Sequence, residues 1–118
     1  MWFSEPSAKI WLYTLPTDMR KSFTGLSALV KQKLQENPLS GHYFVFINRR
    51  KTQTKILYFD RSGYCIWGKR LEQGQFNIGK AFDEKMLIDG TRLKMILEGI
   101  EARKVRQYKR YKLPKKTL

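Results

Sequence analysis

The residues best suited to chemistry in this chain are its cations, and they come in groups. The last stretch, 102 to 118, holds Arg103, Lys104, Arg106, Lys109, Arg110, Lys112, Lys115 and Lys116 with no acid among them, and sets Tyr108 and Tyr111 between the charges. Clustered like charges repel one another and stay in water unless a polyanion neutralises them. Tyrosines interleaved with cations suit a partner that offers phosphates to the charges and flat bases to the rings. A solvated tail that only keeps the protein soluble is the alternative, and an acidic membrane surface would satisfy the same charges. A second group, Arg49-Arg50-Lys51, falls between two apolar runs where a hairpin tip is expected, with Lys69-Arg70 on a neighbouring strand. Such a tip delivers cations into a groove, as β-ribbon readers do, or is simply an exposed polar loop. A third group, Arg20-Lys21, is expected in the first turn of a helix, where the macrodipole disfavours cations unless an anion binds there or Asp18 pairs with them; the pairing is preferred.

Catalytic groupings are poorly represented. The ten acids are spread along the chain, whereas two-metal phosphoryl transfer needs carboxylates that converge. A nuclease would require at least two of Asp18, Asp60, Glu72 and Asp89 to meet in a cleft. His42, after Gly41 at the edge of a strand, reads as structural. One cysteine, Cys65, and one histidine make neither an internal disulfide nor a Cys/His metal site, so no cofactor and no metal are expected. Gly63, Gly68, Gly74, Gly90 and Gly99 lack the Lys-Ser/Thr that a phosphate-cradling loop needs.

The whole chain carries 24 Lys and Arg against 10 Asp and Glu, a net charge of +14 on 118 residues. This exceeds the magnitude of about 2 to 8 that keeps a small domain soluble, and points to a polyanionic partner. With 42% apolar residues the chain has enough material for a core. The start, Met1 to Pro6, has no signal-peptide character, and no run approaches the ~20 apolar residues of a membrane span. A protein of the reducing cytoplasm, without membrane contact, is expected.

These groups must be held by a scaffold, and its elements are readable. Lys9 to Leu15 reads as a strand ended by Pro16. Met19, Phe23, Leu26, Val30 and Leu34 mark an amphipathic helix between Thr17 and Asn37, ended by Asn37-Pro38. Tyr43 to Ile47, Lys55 to Phe59 and Tyr64 to Leu71 read as a meander with turns at Arg61-Ser62-Gly63 and Gln73-Gly74, and Gln75 to Ile78 as a short edge. Strands apolar on both faces need two covers: the first helix, and either the last helix or a second protomer. From Asp89 the helical period returns in Leu93, Ile96, Leu97 and Ile100, capped by Asp89 or Thr91, with Gly99 weakening its end. The expected fold is α+β: an antiparallel β-meander of four to five strands packed against an N-terminal helix, with a C-terminal helix. One domain over residues 1 to 101 is followed by a basic tail, 102 to 118.

Thr17-Asp18-Met19-Arg20-Lys21-Ser22-Phe23-Thr24-Gly25-Leu26, Asn37-Pro38-Leu39-Ser40-Gly41-His42-Tyr43-Phe44-Val45-Phe46, Lys55 to Asp60, Gly63-Tyr64-Cys65-Ile66-Trp67, Lys69-Arg70-Leu71-Glu72 and Gly74-Gln75-Phe76 resemble, in order and spacing, the TnpB accessory proteins of insertion sequences of the sixty-six type. Leu97-Glu98-Gly99-Ile100 is similar to the family's last helix. The long basic tail is less typical. The resemblance implies a bacterial mobile element, a catalytic transposase that is a separate protein, and an accessory without an established activity of its own. It does not extend to the RNA-guided nucleases that share the name. Two readings follow: a non-enzymatic accessory of transposition that binds DNA through its basic groups, or an interaction module whose aromatic sheet docks on the transposase or on another copy.

Overall fold

A computed structural model describes residues 7–101 and 106–107, with side chains described as far as 99. Five strands form one mixed sheet: β1 (Ile10–Tyr13), β2 (Tyr43–Ile47), β3 (Gln53–Asp60), β4 (Gly63–Arg70) and β5 (Lys85–Ile88), in the order β4-β3-β2-β1-β5. The expected meander is present as β2-β3-β4, antiparallel throughout. β1 departs from it. It lies parallel to β2, with Ile10 opposite Tyr43 and Leu12 opposite Val45, because the chain crosses over one face through α1 before returning. α1 (Phe23–Leu29) opens into a π-helical turn, Val30–Leu34, that ends at Gln35 in the left-handed region. Lys85 Nζ donates to the Leu34 carbonyl at 2.8 Å and to Glu36 at 2.5 Å, and so caps that end.

The period-2 alternation of the strands divides the core in two. Tyr13, Phe44, Phe46 and Leu57 face α1 and pack with its Leu26 and with Val30 and Leu34. Ile10, Leu12, Val45, Ile47 and Ile56 face the other way and pack with Leu93 and Ile96 of α2 (Gly90–Glu98). The last helix is therefore the second cover, and both sheet faces are closed within one chain. Among the described residues the large apolar side chains left exposed are Leu15, Phe23, Leu39, Phe82 and Leu87. An open aromatic sheet face for docking is not among them.

Three local expectations are corrected. The helix begins at Phe23, because the Asp18 side chain accepts the Arg20 N–H and the Asp18 carbonyl the Lys21 N–H, which hold a turn ahead of it. Gln75 to Ile78 forms no strand; Phe76 and Ile78 plug the core from an irregular segment bracketed by Gly74 and Gly79 at positive φ. Gly99 terminates α2 in the left-handed region at φ 73°, where a residue without Cβ is favoured, so it stops the helix cleanly. Asp89 caps the start through its side chain, accepting from Arg92 N–H at 2.7 Å. Beyond Gly99, β6 (Ile100–Glu101) pairs antiparallel with β7 (Arg106–Gln107).

Candidate nucleic-acid interface

The sheet order decides which basic groups meet. The C-terminal ends of the parallel strands β1 and β2 lie side by side, at the end where β3 begins and β4 finishes. The loop after β1 is tied to β2 by Thr17 N–H donating to the Ile47 carbonyl at 2.9 Å, and β4's end is tied to the hairpin by Leu71 N–H donating to Thr52 at 2.7 Å. Arg20-Lys21, Arg49-Arg50-Lys51 and Arg70 are thus brought to one end of the molecule.

The β2–β3 hairpin tip is built to present its cations. Asn48 Oδ1 accepts from the N–H of Thr52 and of Gln53 at 2.9 and 3.1 Å, while its Nδ2 donates to Thr52 Oγ1. Lys51 N–H closes the turn on the Asn48 carbonyl, with Lys51 at φ 60°. From behind, Gln75 Nε2 donates to the Arg50 carbonyl and Phe76 N–H to the Lys51 carbonyl. The backbone is held on its inner side and the side chains of Arg49, Arg50 and Lys51 stand exposed.

Arg20 chelates Asp18: its Nε and Nη2 donate to the two carboxylate oxygens at 2.7 to 3.1 Å, a pair exposed to water on both sides. Those hydrogen bonds hold the Asp18 carboxyl down at about 2. Arg70 makes a looser contact with Glu72 at 3.4 Å. Lys69 and Arg70 point to opposite faces. Arg70 shares the α1 side, whereas Lys69 donates to the Leu97 carbonyl at 2.9 Å and caps the end of α2. Lys55, which no basic cluster marks in the sequence, donates through Nζ to the Lys21 carbonyl at 2.9 Å and so joins the patch. The signal was its alternation with the buried Thr54 and Ile56, which puts it on the face shared with Arg70.

Seven cations, Arg20, Lys21, Arg49, Arg50, Lys51, Lys55 and Arg70, therefore occupy one end with the carboxylates Asp18 and Glu72 among them, while Asp83 and Glu84, held beside Thr14 at the start of β5, lie at the same end of the sheet. Between the β1–α1 loop and the hairpin tip lies an open cleft of about 470 Å³, lined by Pro16, Thr17, Asp18, Met19, Asn48, Arg49 and Arg50. Arg106 lies in β7, and Arg103, Lys104, Tyr108, Lys109, Arg110 and Lys112 fall outside the described residues.

The four acids that a nuclease would draw on are divided, with Asp18 and Glu72 at the basic end and only Asp18 of them lining the cleft. Asp60 ends β3 at the far end of the sheet, Asp89 caps α2, and Asp18 and Glu72 are each engaged by an arginine. Among the described residues no three His, Cys, Asp or Glu side chains are grouped to hold a metal. His42 accepts the Lys9 N–H on Nδ1 at 3.0 Å, fixing the approach to β1. No helix among the described residues is long and apolar enough to cross a membrane.

A family model described as IS66 Orf2 like protein matches residues 8–107, which takes in the sheet, both helices and the whole basic end. The chain belongs to the IS66 Orf2-like family. It is thereby placed among the accessory proteins of IS66 insertion sequences, as the motifs at 17–26, 37–46 and 55–76 implied. Two curated relatives come from Sinorhizobium fredii: uncharacterized protein y4hO, 35% identical over 100 residues, covering 85% of this chain and 87% of the relative, and uncharacterized protein y4jC, 31% identical over 99 residues, covering 84% and 85%. No solved structure matches the chain. The IS66 Orf2-like match ends at 107, so the eight tail cations are divided by it: Arg103, Lys104 and Arg106 lie inside and the rest beyond.

Proposed function

We propose that this IS66 Orf2-like protein is a non-catalytic DNA-binding subunit of transposition, working in the cytoplasm beside a separate transposase that carries the chemistry. The observation that carries the reading is the convergence of seven cations from four separate segments on one end of the sheet. Neighbouring positive charges in one patch repel one another, and a polyanion reverses the sign of that term. Arg49, Arg50 and Lys51 on the braced tip, with Arg20, Lys21, Lys55 and Arg70 around them, contact phosphates, while Lys69 contributes to the field. The tail cations, with Tyr108, extend the contact along the DNA. Phosphate contacts fix position and carry no base preference of their own.

The test is a salt series. With six or more phosphate contacts, affinity for duplex DNA falls on the order of a thousandfold between about 50 and about 200 mM salt. Salt-insensitive binding, or none at low salt, contradicts the proposal. The competing reading, a module that docks on the transposase or on itself, is supported by Phe82 and Leu87, exposed beside and on the edge strand β5. It predicts a DNA-free complex with the transposase that survives nuclease treatment and the loss of residues 102 to 118.

A further inference from the structure

We infer that the cleft between the β1–α1 loop and the hairpin tip receives an unpaired nucleotide, so that the basic end prefers DNA with unstacked bases to intact duplex. The inference rests on the DNA-binding reading above and deepens it. A phosphate backbone alone needs only an outward surface of cations, yet two of these, Arg49 and Arg50, line an open cleft of about 470 Å³, in volume within the range of roughly 300 to 1,000 Å³ of small-ligand sites.

Its lining suits a base better than a phosphate. Pro16 and Met19 supply apolar, polarisable walls, and the planar guanidinium groups of Arg49 and Arg50 stack on rings as readily as they bind phosphate. Asp18 stands in the same lining with its side chain 44% exposed and both carboxylate oxygens held by Arg20, so it presents the cleft with a fixed, charge-paired wall. The phosphates then lie at the rim, on the arginines, with the base inside.

The walls are also set before any ligand arrives, by the Thr17–Ile47 bond, the Asn48 bonds and the Asp18–Arg20 chelate. Ordering costs on binding are correspondingly small.

The experiment measures fluorescence anisotropy of the full-length chain with a labelled single strand of roughly 20 nucleotides, and with the blunt duplex of the same sequence, at one salt concentration. The expected result is single-strand binding tighter by about fivefold or more, a preference that Pro16→Ala and Met19→Ala each reduce while duplex binding stays constant. Met19 also packs against the core under α1, so Pro16→Ala, at an exposed lining position, is the decisive variant should Met19→Ala unfold. Arg49→Gln weakens both substrates, and the single strand more, because it removes a phosphate contact and a stacking surface together. Duplex bound as tightly as single strand, or a ratio that Pro16→Ala leaves unchanged, overturns this inference and leaves the DNA-binding reading standing. Binding of neither substrate overturns both.

Discussion

Replacing Arg49, Arg50 and Lys51 together by glutamine removes three cations from the hairpin tip while leaving its frame intact. The frame is made by the Asn48 side chain and by backbone groups, and the bonds from Gln75 and Phe76 land on backbone carbonyls, so the variant retains every hydrogen bond described for the tip. Each phosphate contact contributes about −0.9 to the slope of log K against log salt for B-DNA, so the slope becomes shallower by about 2.7. If the seven cations of the sheet end all contact phosphates, they give a slope of about −6 and a fall of several thousandfold between about 50 and about 200 mM salt; four give about −3.6 and a fall of about 150-fold. The difference does not depend on what the tail adds. Anisotropy titrations of a labelled duplex across that salt range measure it, with circular dichroism to confirm the fold. A variant that binds with the parent's slope would refute the placement of phosphates on the tip.

Other consequences follow from the same geometry. Asn48→Ala removes three hydrogen bonds from the tip and is expected to cost about 1 to 3 kcal/mol of stability and to weaken DNA binding without changing the salt slope, as read by denaturant unfolding and anisotropy. Asp18 titrates at about 2 instead of its ordinary 3.8; a depressed carboxyl contributes stability that is fully present above pH 4 or so and is lost as pH falls through about 2. In Arg20→Ala its side-chain carbon signal in NMR should titrate close to the ordinary value, and an unchanged midpoint would show that the chelate is not formed in solution. Lys85→Met leaves Glu36 and the Leu34 carbonyl without their shared donor and takes a cation from over the Trp11 ring, 4.6 Å from its centre. A loss of about 1 to 3 kcal/mol is expected by thermal unfolding, with DNA affinity unchanged.

Much of this scaffold was legible because its strands are short, aromatic runs set apart by turn residues. Tyr43 to Ile47 was read with its boundaries, and the double-sided apolar character of the meander correctly demanded two covers. What escaped was decided at long range. β5 is four residues long, pairs with a strand more than 70 positions earlier and runs directly into the Asp89 cap, so Met86-Leu87-Ile88 carries no alternation of its own. Gln75 to Ile78 looked like a strand because Phe76 and Ile78 alternate inward, but burial without a ladder gives the same pattern. Met19 extended the helical stripe because it packs against the same cluster from the preceding loop, and this pulled Arg20 and Lys21 into a helix they do not join. The basic groups were each visible in the sequence; their convergence was not, since it depends on β1 lying beside β2 and on Lys55 sharing a face with Arg70.

The central claim is that the cations at the β1–β2 end are the surface that meets DNA. Titrating isotopically labelled protein with DNA and following the backbone amide signals by NMR tests it most directly. The account predicts shifts concentrated in residues 17–23, 48–55 and 70–72, fading as salt is raised. Shifts confined to residues 82–88 at the β5 edge, or none in the sheet domain at all, would contradict it.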